Sequence, residues 1–305
     1  MGVCPHPEGD SAAPPGGTLF VVATPIGNLD DMSPRAVSVL REVALVAAED
    51  TRKAALLFTR HGISTPTTSF HDHNKEAMLP RLLSRLQRGQ DLALISEAGT
   101  PGISDPGFYL VRAARRRDLP VMTVPGPSAV VAALSISGLP TDRFCFLGFP
   151  PRGDEIEAFL RDSALMDTSL VLYQAPGRIL ETLAAISRVL GQRQVSISRE
   201  MTKIYEETVV GTPSSLAEHY RHHPESLRGE FTLIIAPPGY SLEEDGGGGV
   251  PPAAAPEIAD VVAKQIVLLV DAGYRPADAA RIVARGHRLP RSEVYRAYLD
   301  MSESR

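Results

Sequence analysis

The chain has 305 residues, enough for about two domains, and its composition of 43% hydrophobic and 22% charged residues is typical of a protein with a large core. The formal net charge of -5 excludes a protein that coats nucleic acid over its whole surface, so any basic binding site must be local. Two cysteines, Cys4 and Cys145, are too few and too far apart for a disulfide framework or a metal knuckle, which favours a reducing cytoplasm.

The first 17 residues lack the basic start and the apolar segment of a signal peptide, and their composition predicts a disordered tail. No apolar run approaches the roughly 20 residues that a membrane-spanning helix needs. We therefore expect a soluble cytoplasmic protein with no membrane partner.

Short strand-like runs alternate with helical periodicity from residue 18 onward, which is typical of an α/β layered domain. In a first domain, residues 18–139, strands are predicted at 18–24, 43–47, 91–95 and 120–124. Several of these runs are apolar throughout, as expected when both faces of a sheet are covered. Ser33 and Pro34 predict a helix start, because serine caps a helix and proline fits its first turn.

A second α/β domain is predicted over residues 140–236, with strands at 144–149, 169–174, 195–201 and 230–236. Residues 237–256, PPGYSLEEDGGGGVPPAAAP, indicate a linker, because repeated glycine and proline support neither a helix nor a sheet. Residues 257–305 then predict a small helical domain.

Four unusual loops follow the strands of the first domain: TPIGNL at 24–29, AEDTR at 48–52, SEAGTPGISDPG at 96–107 and PGPSA at 125–129. If the sheet is parallel, all four lie at its carboxyl edge, where open α/β sheets bind ligands. The third loop lacks the lysine of a P-loop and the spacing of a dinucleotide fingerprint. Its glycines, Gly99 and Gly102, instead predict uncovered backbone beside a helix start at Asp105, suited to a polar small molecule. The alternative is a plain strand-to-helix turn capped by aspartate.

Two further clusters carry chemistry. Residues 69–74, SFHDHN, lack a third and fourth ligand with supporting spacing, so we predict no metal site and interpret them as substrate contacts or a solvated loop. The segment REMTK, at 199–203, ends a strand of the second domain. It either faces a cleft between the domains or forms a surface salt bridge.

The helical segment 274–300 carries six arginines against three acids, with Tyr295 and Tyr298 interleaved. Such a combination can bind a phosphate backbone and stack on bases. The alternative is a solvated basic helical pair that packs on its own apolar stripe.

Seven segments, taken in order, resemble the ribosomal RNA small subunit methyltransferase I family, within the tetrapyrrole methylase superfamily. These segments are VVATPIGNLDDMSPRA, AAEDTRKA, HDHN, SEAGTPGISDPG, PGPSAVVAAL, LPTDRFCFLGFP and SREMTK. The resemblance covers about residues 18–236, with a weaker similarity in LPRSEVYRAYL. It implies a two-domain α/β fold with S-adenosylmethionine in the cleft between the domains, and a homodimer. The implied reaction is 2'-O-methylation of a cytidine in the decoding region of small-subunit ribosomal RNA.

The resemblance also implies site residues. Those that would contact the methyl donor are Pro25, Gly99, Thr100, Ile103, Ser128, Ala129, Tyr173 and Thr232. Where the family commonly has Tyr-Glu-Ser/Ala-Pro-His-Arg, residues 173–178 read YQAPGR, so neither the acid nor the imidazole is an indispensable proton acceptor in an active protein. The family's aspartate before Ala-Gly-Thr-Pro is Glu97 in this chain.

A ribose hydroxyl is a poor nucleophile, so methyl transfer benefits from alignment, a proton acceptor and a stabilising cation. We assign these roles to Glu200 as acceptor and Lys203 as cation, with Asp72 and His73 as second candidates. Proposed substrate contacts are Arg52, His71, Asn74, Arg281, Arg285, Arg288 and Arg291. Two other functions stay open: a tetrapyrrole or other small-molecule methyltransferase, and a non-catalytic RNA-binding assembly factor.

Overall fold

The computed structural model describes residues 16–164, 166–240, 256–271, 273–287, 289 and 291–303. Most of the predicted N-terminal tail and of the predicted linker, together with Cys4 and Arg288, lies outside the described residues. The chain forms two compact units. The first contains the described residues of Met1–Ala132 together with Glu200–Glu206, and the second those of Ala133–Arg199 and Glu207–Arg305.

The first unit is built on one five-stranded sheet. Its strands are β1 (Leu19–Val22), β2 (Leu45–Ala48), β3 (Thr67–Ser69), β4 (Leu92–Ile95) and β5 (Val121–Val124). They lie in the order β3-β2-β4-β1-β5, and every neighbouring pair is parallel. The expectation of a parallel sheet is therefore confirmed. β2 and β4 are buried at every position, which is why their sequences are apolar throughout.

Helices cover both faces of this sheet, and five of them follow its strands: α1 (Pro34–Glu42), α2 (Thr51–His61), α3 (Lys75–Gln87), α4 (Gly107–Arg115) and α5 (Ala129–Ile136). One hydrophobic core contains Leu40, Phe58 and Ile95, and the other contains Leu86 and Leu110. The predicted start of α1 is confirmed, because the Ser33 Oγ accepts a hydrogen bond of 3.1 Å from the Ala36 N–H and Pro34 is the first helical residue.

The second unit has a mixed sheet. Its strands are β6 (Phe144–Gly148), β7 (Ser169–Gln174), β8 (Val195–Arg199), β9 (Glu207–Gly211) and β10 (Phe231–Ile235). They lie in the order β6-β7-β10-β8-β9, in which β6 and β7 are parallel and the other pairs are antiparallel. Three helices accompany the sheet: α6 (Glu155–Ser163), α7 (Ile179–Leu190) and α8 (Pro213–His222).

Two strands escape sequence analysis, β3 and β9. β3 has only three residues, all polar, and β9 is an edge strand with no fully buried position. Strand prediction depends on buried apolar runs, so neither segment gives the usual signal.

The C-terminal segment forms three helices, α9 (Pro256–Asp271), α10 (Pro276–His287) and α11 (Arg291–Glu303). Their shared core contains Val262, Ile266, Val283 and Val294. The expectation of a helical C-terminal segment is therefore confirmed. None of the helices in the described residues combines the length and the hydrophobicity needed to cross a membrane.

Candidate active site

Three loops of the first unit are joined by hydrogen bonds at the carboxyl edge of its sheet. Thr24, after β1, donates its N–H to the Gly99 carbonyl at 2.9 Å and accepts the Gly99 N–H at 3.1 Å. The Thr100 hydroxyl donates to the Pro127 carbonyl at 3.0 Å, which attaches the loop after β4 to the loop after β5. The loops that the sequence places at one edge are therefore in contact.

The predicted donor-binding residues of this unit differ in exposure. Pro25 and Gly99 are buried, Thr100, Ser128 and Ala129 are half-buried, and Ile103 is 46% exposed. The prediction that Gly99 and Gly102 leave backbone polar groups uncovered is wrong for both groups of Gly99 and for the N–H of Gly102, although Gly102 is exposed. The Gly99 N–H and carbonyl both bind Thr24, and the Gly102 N–H donates to the Asp105 carboxylate at 2.8 Å. Both glycines are needed for their backbone angles, φ of 79° and 91°.

Asp105 organises the turn between β4 and α4. The helix begins at Gly107 and not at the predicted Asp105, so Asp105 lies just before the first turn of α4. Its carboxylate accepts the Gly107 N–H at 2.7 Å as well as the Gly102 N–H. One side chain thus holds both the glycine-rich turn and the helix start.

Glu49, which was not among the predicted site residues, is a half-buried acid at this edge. Its Oε2 accepts the Glu97 N–H at 3.0 Å. Burial raises the pKa of Glu49, and the nearby carboxylates of Asp105, Glu97 and Asp72 raise it further, while the bond from the Glu97 N–H lowers it. The Glu97 carboxylate itself pairs with Lys53 on α2. Glu97 therefore connects the loop after β4 to the loop and helix after β2. The AEDTR motif was the available signal for Glu49.

The histidine loop after β3 is held by Asn74. Its Oδ1 accepts the His71 N–H at 2.9 Å, and its Nδ2 donates to Ser69 at the carbonyl (3.1 Å) and the hydroxyl (3.0 Å). The amide of Asn74 is thereby engaged within the loop. Asp72 pairs with Lys75 at 2.8 Å, and the Lys75 Nζ lies 3.9 Å from the centre of the Tyr109 ring.

Arg52 projects from the first turn of α2 with its side chain 89% exposed. Its guanidinium donates two hydrogen bonds to Asp50, of 3.2 Å from Nε and 2.8 Å from Nη2. These bonds lower the pKa of Asp50. The residue is accessible to a substrate, and the Asp50 contact orients it.

The structure brings Glu200 and Lys203 together. The Lys203 Nζ lies 2.9 Å from the Glu200 Oε1, and the two side chains are 30% and 19% exposed, respectively. The turn that carries them, Glu200–Glu206, belongs to the first unit although β8 and β9 on either side of it belong to the second. Within the first unit, this pair shares a compact body with the three joined loops.

Tyr173 and Thr232 are direct neighbours in the second unit, because β7 and β10 pair them in register. The Tyr173 ring packs edge-on against Phe146, with ring centres 4.9 Å apart. Thr232 is buried, at 3% exposure. Two predicted donor contacts thus lie side by side on one sheet.

Gln174, where the family commonly has glutamate, is a buried hydrogen-bonding residue. Its Nε2 donates to the Thr182 hydroxyl at 2.5 Å, and its Oε1 accepts the Ala175 N–H at 2.8 Å. Arg178 donates to the carbonyls of Pro150 and Pro151. Gly177, in place of the family's histidine, is exposed. The YQAPGR segment therefore keeps a well-bonded turn without an acid or an imidazole.

The helical segment presents some of the predicted arginines. Arg281 and Arg291 are exposed, and Arg281 pairs with Asp278 at 2.9 Å. The side chain of Arg285 and the whole of Arg288 lie outside the described residues. Tyr295 and Tyr298 are half-buried against the core of the three helices, which favours the apolar-stripe interpretation of these two rings over base stacking.

No group of three His, Cys, Asp or Glu side chains among the described residues is arranged to hold a metal ion.

The model of the family Tetrapyrrole (Corrin/Porphyrin) Methylases matches residues 18–217. Two solved structures have a similar fold. One is a uroporphyrin-III C-methyltransferase from Thermus thermophilus complexed with S-adenosylhomocysteine, 18% identical, with a TM-score of 0.52 over 72% of this chain and 97% of that one. The other is a diphthine synthase, 15% identical, with a TM-score of 0.58 over 72% and 89%.

Closer relatives are named ribosomal RNA small subunit methyltransferase I. The protein from Pseudomonas aeruginosa is 49% identical over 227 residues, which cover 72% of this chain and 79% of the relative. The protein from Synechocystis is 40% identical over 287 residues, 93% of this chain and 98% of the relative. The chain belongs to the tetrapyrrole methylases and, within them, to the ribosomal RNA small subunit methyltransferase I family.

Proposed function

We propose that the chain catalyses S-adenosylmethionine-dependent 2'-O-methylation of a cytidine in the decoding region of small-subunit ribosomal RNA, in the cytoplasm. The observation that carries this proposal is the 40% identity to a small subunit methyltransferase I over 93% of the chain. The ribose hydroxyl, the cytidine and the decoding region come from the motif resemblance. The same relatives disfavour a small-molecule methyltransferase.

When bound, S-adenosylmethionine supplies an electrophilic methyl group on a positively charged sulfur. Glu200 is proposed to accept the proton that the 2'-hydroxyl loses, and Lys203 to stabilise the developing alkoxide. Their 2.9 Å contact keeps the ammonium close to the carboxylate while the proton moves. Arg52 and His71 are the proposed substrate contacts nearest in sequence to the strand ends, with Asn74 holding the His71 backbone.

The proposed donor contacts are Pro25, Gly99, Thr100, Ile103, Ser128, Ala129, Tyr173 and Thr232. The Thr24–Gly99 and Thr100–Pro127 bonds support this assignment, because they join to one another the three loops that carry the first six of these residues. The helical segment 257–305 is proposed to hold the RNA backbone through Arg281, Arg285, Arg288 and Arg291. A homodimer is proposed as well; the exposed apolar side chains of Phe108, Met122 and Val131 would be covered in it.

Transfer of a labelled methyl group to purified small subunits tests the reaction, and mass spectrometry of the RNA locates the product. We expect one new ribose methyl group with the wild-type protein. An unchanged ribose methylation map in cells lacking the gene would refute the proposal. Calorimetric titration with S-adenosylmethionine distinguishes the enzyme from a non-catalytic RNA-binding assembly factor. If the donor does not bind, only the assembly factor remains consistent with the data.

The variants Glu200→Gln and Lys203→Met test the two assigned residues, and we expect each to lower kcat by roughly 10²-fold or more. Glu181→Gln is a matched control, because Glu181 pairs with Arg178 at the same three-residue spacing in the second unit. Wild-type rates in both site variants would remove the assignment.

A further inference from the structure

The turn Glu200–Glu206 contains two non-glycine residues in the left-handed region, Glu200 with φ of 50° and Thr202 with φ of 65°. Side chains with a branched Cβ, such as threonine, rarely adopt this conformation, and it persists only where surrounding contacts enforce it. Four such residues occur in the described part of the chain, and two of them lie within three positions of each other here. Strain of this kind is concentrated at functional sites.

Thr202 makes the contacts that enforce the turn. Its N–H donates to the Glu206 Oε2 at 2.7 Å, and its hydroxyl oxygen accepts the Asn28 N–H at 2.9 Å. Asn28 lies in the loop after β1, where its own side chain accepts the Asp30 N–H at 3.0 Å. The Thr202 hydroxyl is therefore a polar connection between the Glu200–Glu206 turn and the loop that carries Pro25.

Gly27 permits this contact. A Cβ at that position would lie 2.6 Å from the Lys203 Cγ, 2.7 Å from the Thr202 Oγ1 and 2.9 Å from the Met201 carbonyl oxygen. Only a residue without a Cβ fits there without displacing the turn. One of the three close atoms, the Met201 oxygen, belongs to the backbone and cannot move aside as a side chain can. Two adjacent residues, Gly27 and Asn28, thus contact the turn, the first by close packing and the second by a hydrogen bond.

We propose that Thr202 is a positioning residue for methyl transfer, whose hydroxyl holds the loop after β1 against the turn that carries Glu200 and Lys203. The inference rests on the proposed function, since it concerns the alignment of the proposed donor loop with the proposed proton acceptor. Thr202 itself does not act on the reacting atoms. Loss of its hydroxyl releases the loop and weakens donor binding, while the sheets and helices stay folded.

The test compares Thr202→Val, which keeps the shape and removes the hydroxyl, with Thr202→Ser, which keeps the hydroxyl. Thr212→Val is the matched control, because the Thr212 hydroxyl also accepts a backbone N–H, that of Ser215 at 3.2 Å, but in the second unit. Gly27→Ala disturbs the same contact from the other side. Amide hydrogen exchange at Asn28 measures whether its hydrogen bond to Thr202 is present. Steady-state methyl transfer to small subunits measures the effect on KM for S-adenosylmethionine.

We expect Thr202→Val to accelerate exchange at Asn28 and to raise KM for S-adenosylmethionine, each by roughly five-fold, as the loss of one hydrogen bond implies. Thr202→Ser restores both values, Gly27→Ala reproduces the raised KM, and Thr212→Val changes neither. A merely structural role would lower the active fraction and the unfolding midpoint without raising KM.

Wild-type KM in Thr202→Val, or faster Asn28 exchange with no change in KM, overturns the proposal. If the wild-type protein neither binds the donor nor transfers methyl groups, the proposed function fails instead, and the exchange data still report whether the contact exists.

Discussion

Thr24 and Gly99 exchange two backbone hydrogen bonds, of 2.9 and 3.1 Å, across the carboxyl edge of a sheet whose strands are all parallel. The pair is antiparallel and isolated, so it extends no strand. Its effect is to fix the loop after β1 to the loop after β4, two segments 75 residues apart in sequence. The site of this protein is therefore a set of loops whose backbones support one another.

Gly99→Ala tests the importance of this backbone pair. Its φ of 79° makes any side chain costly, and we expect a loss of about 1–2 kcal/mol in the free energy of unfolding, measured by chemical denaturation. Gly89→Ala is the matched control, because Gly89 has φ of 81° and no atom near its would-be Cβ. Both variants should lose similar stability, and only Gly99→Ala should weaken S-adenosylmethionine binding. Equal donor affinities in the two variants would contradict a role for Gly99 at the site.

Asp105→Ala removes the acceptor for two backbone N–H groups, those of Gly102 and Gly107. We expect a loss of about 1–2 kcal/mol in the free energy of unfolding, as for other helix-start acceptors. Asp105→Asn retains one acceptor oxygen and should recover part of the loss. Ser33→Ala removes a comparable acceptor from the start of α1 and serves as the comparison. Donor affinity, followed by calorimetry, should fall for Asp105→Ala and stay unchanged for Ser33→Ala.

Glu49→Gln tests the raised pKa of Glu49. Because the folded protein holds this proton to a higher pH than the unfolded chain does, wild-type stability falls as the pH rises from about 4.5 through the raised value. The glutamine variant lacks that decline and should gain stability relative to wild type between pH 4 and pH 7. Denaturation curves over this range measure the difference.

The control for that pH dependence is Glu225→Gln, since the pKa of Glu225 is lowered by a backbone hydrogen bond and by His223. A lowered carboxyl pKa contributes stability above its unfolded value, so this variant should lose stability relative to wild type as the pH rises. The same trend in both variants would show that neither carboxyl group causes it.

Arg281→Ala and Arg291→Ala test the helical segment as an RNA contact. Each phosphate contact that is lost should reduce the slope of log K against log salt by about 0.7–0.9. Arg188→Ala, which removes an exposed arginine paired with Glu157, should leave the slope unchanged. Binding of small-subunit RNA over a salt series measures all three, and three unchanged slopes would rule out both arginines as phosphate contacts.

Sequence patterns predicted most elements but not all residues of the site. The motif loops, the start of α1 at Ser33 and the two C-terminal helices were accessible because each depends on a few neighbouring residues. Glu49 and Thr202 lie within motifs, but the motifs alone do not distinguish them from their neighbours. Their significance comes from a hydrogen bond with Glu97 and one with Asn28, which no local pattern predicts.

By itself, the sequence determined where most of the strands and helices form, which residue begins α1, and to which family the motifs belong. Only the tertiary structure decided the strand order β3-β2-β4-β1-β5, the antiparallel pairs of the second sheet and the membership of Glu200–Glu206 in the first unit. The physical reason is the range of the contacts. Caps and turns form between residues a few positions apart. Asn28 and Thr202 are separated by 174 residues, so their contact forms only once the strands and helices between them have packed into the folded structure.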